Sequence, residues 1–279
     1  MREISSALVA DAVARLCIEA NIVLPKDVRD CIALREREEP WAPAREILGR
    51  IAENYAVAER ERLPICQDTG LACVFLEIGQ EVHISGSLED AVNEGVRRGY
   101  REGFLRKSAV RDPLDRVNTG DNTPAMIYYE IAPGYSLKIT VAPKGFGSEN
   151  MSQIKMLRPS DGVEGVKAFV LKAVEEAGPN PSPPIIVGIG IGGTFDKAAL
   201  LAKKALLRET GAPSPNPFYA RLEHELLEEI NALGIGPQGF GGRSTALAVS
   251  IETMPTHIAG LPVAVNINCH VARHRTEVL

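Results

Sequence analysis

The run "PNPSPPIIVGIGIGGTFDKA", residues 179 to 198, decides how this chain is read. Gly188, Gly190 and Gly193 carry the G-x-G-x-x-G spacing of a dinucleotide-binding turn, set between an apolar strand-like stretch and a helical pattern. Such a turn binds pyrophosphate inside a β–α–β unit, with an acidic residue ending the next strand about 20 residues on. Here the helical pattern after Gly193 runs into "GAPSPNP" (211 to 217), and a second helical pattern follows where a strand is required. Glu209 stands near the right distance but at a helix end, and the match arrives past the middle of the chain. The glycines are therefore read as points where the backbone closely approaches a ligand or a packed helix. The chain does not read as a Rossmann fold.

Working outward, helical spacing covers 3 to 20, 26 to 38 and 43 to 62, with Pro25 and Pro43 near the starts of the second and third. "LACVFLEIG" (71 to 79) reads as a strand and 88 to 106 as a charged helix. "AMIYYEIAPGYSLKITVAPK" (125 to 144) reads as two strands joined at Pro133-Gly134, the pattern of a hairpin. A helix over 160 to 177 opens at Ser160 or Asp161 and closes at Gly178. After the 184 to 191 strand come helices at 194 to 210 and 216 to 232, then strands at 244 to 253 and 261 to 268. This order predicts a mixed α/β chain with a helical opening followed by mixed sheets and flanking helices. A single catalytic domain over 1 to 279 is expected, with a seam near 144 to 160 where Gly and Ser collect.

Composition narrows the function classes. The 279 residues are 45% hydrophobic and 24% charged with a net charge of -5, which gives no drive toward nucleic acid or anionic membrane. No apolar stretch is long and charge-free enough to span a bilayer, and the acidic, amphipathic start is unlike a signal peptide. Five scattered cysteines do not form a disulfide framework, so a reducing, cytoplasmic setting is expected.

Polar residues gather in glycine turns at strand ends: "PICQDTG" (64 to 70), "PKGFGSENMS" (143 to 152), "GPQGFGGRST" (236 to 245) and "NINCHVARH" (266 to 274). Such turns suit a preformed small-molecule site. Cys17, Cys31 and Cys73 read as packing residues. Cys269, His270 and His274 hint at zinc but lack the second ligand pair that zinc spacing requires. The arginines in 97 to 116 read as a solvated helix face from which one could grip a carboxylate.

Together, "CQDTG", "PKGFGSEN", "PPIIVGIGIGGTFDKAALLAKKALL", "GIGPQGFGG" and "HIAGLPVAVNINCH" resemble the α-type chain of the class I fumarase and tartrate dehydratase hydro-lyases, from about residue 10 to 275. The resemblance implies a [4Fe-4S] cluster held by three cysteines, with one iron left open as a Lewis acid for a small dicarboxylate and its departing hydroxyl. It places cluster ligands at Cys66 and Cys269, and substrate contacts at Gln67, Asp68, Arg106, Gly147 and His257. Asp68 and His257 are thereby the catalytic candidates, Asp68 as the acid/base.

At the third ligand position the chain departs from the family's N-P-C-P-P pattern and reads Asn180-Pro181-Ser182-Pro183-Pro184. A serine hydroxyl is a harder, more basic ligand than a thiolate and holds iron poorly. The resemblance also implies a separate β-type subunit, because the family's second half has no counterpart in these residues. The expected reaction is hydration of fumarate to (S)-malate, with tartrate dehydration as the alternative. A nucleotide-binding or structural regulatory subunit is the reading from another class.

Overall fold

The computed structural model describes residues 2–279, which divide into two compact units. Unit 1 comprises Met1–Leu24, Tyr55–Phe146 and Arg273–Leu279; unit 2 comprises Pro25–Asn54 and Gly147–Ala272. Both combine helices with mixed sheets, so the mixed α/β expectation holds.

In unit 1, β1 (Arg2–Ser5) pairs in parallel with β3 (Val82–Ser85). Helix α1 (Ser6–Ile22) follows β1, and the Ser5 hydroxyl caps it by accepting the Leu8 N–H. Helix α4 (Leu88–Glu102) packs along α1 at very short range. A Cβ on Gly95 would lie 2.7 Å from the Ala10 carbonyl, and one on Gly99 would lie 2.8 Å from that of Ala14. The second sheet has the order β10-β5-β2-β4, built from β2 (Leu71–Gly79), β4 (Met126–Ala132), β5 (Leu137–Lys144) and β10 (Arg275–Val278). Val9, Val13, Tyr100, Val74, Leu76, Ile139 and Val141 fill its core.

The hairpin expected over 125 to 144 does not form. Strands β4 and β5 exist, but β2 lies between them, parallel to β4 and antiparallel to β5. The Pro133-Gly134 turn instead wraps the end of β2. Gly79 donates to the Ser136 carbonyl (2.9 Å), Gln80 to that of Ala132 (2.8 Å) and Glu81 to that of Gly134 (3.0 Å). A third strand satisfies the backbone groups that a two-stranded hairpin would have paired internally.

In unit 2, helix α2 (Lys26–Glu38) matches its expected bounds, while α3 (Ala42–Glu61) begins here and runs on into unit 1. The short α5 (Phe146–Glu149) also straddles the boundary. The sheet order is β6-β9-β7-β8, from β6 (Gln153–Leu157), β7 (Ile185–Gly193), β8 (Ala246–Thr256) and β9 (Leu261–Asn268). Strand β7 runs parallel to β8 and antiparallel to β9. Helices α6 (Gly162–Ala177) and α8 (Pro217–Ala232) share a core with Ile185, Val187, Ile189 and Ile191, the alternate residues of β7.

The intervening glycines serve the opposite face. Helix α7 (Phe195–Ala205) lies so close to β7 that a Cβ on Gly188 would be 2.2 Å from the Ala202 carbonyl, and one on Gly190 2.0 Å from that of Ala198. The Ile-Gly alternation thus separates a deep apolar face from a flat one that accepts helix backbone. What the glycines of 188 to 190 approach is a packed helix. No helix among the described residues is long and apolar enough to cross a membrane.

Candidate active site

The first polar cluster lies in unit 1, where the chain passes from α3 to β2. Ile65 anchors the approach by donating its N–H to the Asn21 carbonyl (2.9 Å), and its side chain is buried. The turn Cys66-Gln67-Asp68-Thr69-Gly70 that follows is outside any ladder, so other groups must satisfy its backbone. Cys66 Sγ accepts the Asp68 N–H at 3.4 Å. The Asp68 carboxylate accepts from Gly70 N–H through Oδ1 (3.0 Å) and from Phe146 N–H through Oδ2 (2.9 Å). Gly70 is required here: its φ is +71°, and a Cβ would meet the Lys144 backbone at 2.6 Å.

Three carbonyls in succession accept from distant side chains. Arg273 Nη2 donates to the Asp68 carbonyl. The buried Tyr100 hydroxyl is shared between the carbonyls of Thr69 (2.8 Å) and Gly70 (3.0 Å). Asn122 Nδ2 donates to that of Gly70 (3.2 Å). Burial pushes the Tyr100 phenol well above its ordinary range, so it remains a donor.

Arg106 is drawn to this turn by its backbone. The helix expected to run to 106 stops at Glu102, and Gly103 caps it, so Arg106 sits on a loop and not on a solvated helix face. The Thr69 hydroxyl accepts the Arg106 N–H (2.9 Å) and donates to the Arg106 carbonyl (3.1 Å). Fully buried Asn122, at φ 65°, accepts from Ser108 N–H (2.7 Å) and Ala109 N–H (3.1 Å), holding the same loop two residues on. The Arg106 side chain is exposed and engages no carboxylate among the described residues. Gln67 is exposed in the Cys66–Gly70 turn, its Oε1 accepting from Cys66 Sγ at 3.4 Å.

The second cluster lies in unit 2. Ser182 is half-buried at φ 55°, in the left-handed region unusual for a residue with a Cβ. Its turn is clamped from three directions. Ser182 N–H donates to the Pro179 carbonyl (3.0 Å). Gln238 donates its backbone N–H (2.8 Å) and Nε2 (2.7 Å) to the Pro183 carbonyl. His270 Nδ1 donates to the Ser182 carbonyl (3.0 Å), which brings the residue after Cys269 onto the turn. Gly147 is near too, since a Cβ there would lie 3.8 Å from the Asn180 carbonyl.

A polar network fixes β9 near its end, at Asn266, three residues before Cys269. Asn266 Nδ2 donates to Glu149 Oε2 and to Ser152 Oγ, both at 2.7 Å. Lys203 pairs with Glu149 at 2.6 Å. The loop carrying Gly147 is thereby tied to the strand carrying Cys269. His257 is separate: it is exposed on the β8–β9 turn, and its hydrogen bonds, an N–H accepted from Ala259 (3.2 Å) and one from Gly260 (2.9 Å), stay within that turn.

Sequence reasoning missed Thr69, Tyr100, Asn122, Glu149, Gln238, Asn266 and Arg273 as site residues. Thr69, Glu149, Gln238, Asn266 and Arg273 lay inside quoted motifs without being singled out. Tyr100 and Asn122 carry no local signal at all, because their role depends on chain reversals.

The cluster that the resemblance implies needs three thiolates. Cys66 and Cys269 supply thiols, but the third position supplies only the Ser182 hydroxyl. No group of three or more His, Cys, Asp or Glu is gathered as a metal site among the described residues. These residues do not fit a three-thiolate cluster.

The cluster in unit 1 thus holds the Asp68 carboxylate on two backbone N–H groups and carries an exposed Arg106, and the cluster in unit 2 clamps the Ser182 turn. Residues 10–278 match the family described as Fumarate hydratase (Fumerase), and the chain belongs to that hydro-lyase family. It is 45% identical over 272 residues to the putative L(+)-tartrate dehydratase subunit alpha of Methanocaldococcus jannaschii, covering 95% of each chain. It is 34% identical over 270 residues to the L(+)-tartrate dehydratase subunit alpha of Escherichia coli strain K12, covering 95% of this chain and 89% of that one.

Proposed function

We propose that this chain is the α subunit of a two-subunit hydro-lyase that interconverts fumarate and (S)-malate, residues 1 to 279 serving as one catalytic chain. The observation that carries the reading is the double hydrogen bond from Thr69 to the Arg106 backbone, which holds a guanidinium without a carboxylate partner beside the Asp68 turn. In the dehydration direction, Asp68 accepts the proton from the carbon next to a carboxylate. The C–H electron pair becomes the new carbon–carbon double bond as the carbon–oxygen bond on the neighbouring carbon breaks, and the departing hydroxide takes up a proton from solvent to leave as water while Asp68 returns its proton to solvent. Both Asp68 oxygens already accept backbone N–H bonds, so the carboxylate is fixed in direction while lone pairs remain for the substrate proton. Arg106 orients the substrate through one carboxylate, a task suited to a planar fork of donors. No step is assigned to a metal group, given the serine at 182.

A second reading, dehydration of L(+)-tartrate, is favoured by the names of the relatives in M. jannaschii and E. coli. The two substrates share a four-carbon diacid and differ in one hydroxyl, so both suit the same guanidinium and carboxylate. The α naming of those relatives also supports a β-type partner.

The test is an anaerobic assay of the Ser182→Cys chain, alone and mixed with a β-type chain, on malate, fumarate and both tartrates. Malate turnover only in the mixture is expected. Preferential turnover of L(+)-tartrate selects the second reading, and robust turnover by the isolated chain overturns the two-subunit reading.

A further inference from the structure

The four-stranded sheet of unit 1 ends on β4, which among the described residues pairs with β2 alone and has no strand along its other edge. Such an edge offers a row of N–H and C=O groups to any extended chain, and folded proteins discourage that with charges, prolines or short strands. The other outer strands of the two four-stranded sheets do so. Strand β10 has four residues and carries Arg275 and Glu277, β6 carries Lys155, and β8 carries Pro255. Strand β4, "MIYYEIA" (126 to 132), runs for seven residues with no basic residue and no proline. Its large side chains also stand in the open: Tyr129 is 54% exposed, Ile131 64% and Met126 39%.

Alternation along β4 sorts its side chains onto two faces. Ile127 packs against the core of unit 1, so Tyr129 and Ile131 share that face yet lie open to solvent. Tyr128 stacks on Phe75 of β2 on the other face, ring centroids 4.7 Å apart, and shares it with Met126 and Glu130. Read outward from Tyr129 in both directions, the strand complements itself. An antiparallel copy about a two-fold axis at Tyr129 sets Ile127 against Ile131 and Tyr129 against Tyr129 on the core-side face. On the other face it sets Met126 against Ala132 and Tyr128 against Glu130, so the one charge of the strand meets a phenol that can donate to it. An axis at Glu130 would set that carboxylate against its own copy, and an axis at Tyr128 would set it against Met126. Charge thus fixes the register.

We propose that β4 is the docking edge for a second copy of this chain, joined antiparallel about a two-fold axis at Tyr129. The two four-stranded sheets then form one continuous sheet of eight strands, β10-β5-β2-β4 followed by β4-β2-β5-β10 of the second copy. The same strand serves both copies, so the contact uses up both open edges and closes at two chains instead of propagating. The charged β10 strands end the joined sheet. Self-matching about one residue is what a second copy requires and a partner of different sequence does not.

The test reads the mass of the full chain by analytical ultracentrifugation, alone and with a β-type chain. The unaltered chain alone is expected at twice the mass of one copy. Tyr129→Lys sets two ammonium groups against each other at the axis, and Tyr129→Glu sets two carboxylates. Each variant alone is expected at the mass of one copy, its dissociation constant raised about a hundredfold or more by the like charges. An equimolar mixture of the two should return to the double mass. That recovery requires residue 129 to face itself, and a general loss of folding would not produce it. If circular dichroism shows that these variants do not fold, oxidation of Tyr129→Cys is read instead. It should give a disulfide-linked pair that neither Ile131→Cys nor the unaltered chain gives, because residue 131 faces residue 127. A single-copy mass for the unaltered chain overturns the assignment, as does a pair that persists in Tyr129→Lys, a mixture that fails to recover, or Tyr129→Cys that does not link. Variants that change only the binding of the β-type chain would give the edge to that subunit and overturn it as well.

Discussion

The Thr69 hydroxyl accepts the Arg106 N–H and returns its own proton to the Arg106 carbonyl, so one side chain closes both backbone valences of one residue 37 positions away. The bond fixes where the Arg106 Cα sits and leaves the guanidinium free. Replacement by valine keeps the shape and removes both bonds. Each neutral bond is worth about 1 kcal/mol, so Thr69→Val is expected to raise KM for malate about tenfold in the assembled enzyme. Little change in KM would show that Arg106 is placed by Asn122 alone.

Ser182 gives a second prediction. Its turn is already held by Gln238 and His270, and oxygen and sulfur differ little in shape. Ser182→Cys should therefore create a ligand without repacking. After anaerobic reconstitution, about four irons per chain should survive desalting in the variant and fewer in the parent, as a complete cubane requires. Equal iron and equal visible absorbance in both would mean that position 182 is not a ligand.

Much of this was legible in the sequence, and the losses have physical causes. Strands β2 and β9 and helix α2 were readable because their apolar periodicity is complete within each segment. Strands β1, β3, β6 and β10 escaped notice, β1 being read as the start of the first helix, since four or five residues contain too few alternations to register. The β4–β5 pairing was misread because a turn signal at Pro133-Gly134 specifies a chain reversal and not which strand lies alongside. In the site, the motif residues were visible, but the groups that hold them were not. Asn122 looks like any turn asparagine until its amide meets Gly70, 52 residues earlier.

A third prediction concerns the glycine strand. An alanine methyl at 190 would sit 2.0 Å from the Ala198 carbonyl, a backbone atom that can yield only if α7 lifts from β7. Gly190→Ala should lower stability by about 1–3 kcal/mol, as overpacked cores do, read as a drop in the urea midpoint. An unchanged midpoint would show that α7 rides on β7 loosely.

Acid should loosen the loop carrying Asn122. Burial acts to raise the Asp121 carboxyl, but hydrogen bonds from the Thr123 N–H and hydroxyl and from Arg97 outweigh it and hold the group at about 2, below its ordinary 3.8. A carboxyl depressed on folding stabilises above its unfolded value and loses that contribution as pH falls toward its folded one. The melting temperature should thus decline between about pH 4 and pH 2, and Asp121→Asn should flatten that part of the decline. Parallel curves for parent and variant would exclude Asp121 as the titrating group.

The order of synthesis adds a constraint on when this protein becomes competent. Unit 1 is not finished by its first 146 residues, because β10 must pair with β5 and Arg273 must reach the Asp68 carbonyl. A nascent chain leaving the ribosome therefore carries an unsealed sheet edge while residues 147–272 of unit 2 are being made. The turn bearing Asp68 acquires its last brace only when the final seven residues of unit 1 emerge. Completion of the Asp68 turn is thus a late event in translation, and chains released before residue 273 would keep their sequence motifs without the hydrogen bond that sets the Asp68 carbonyl.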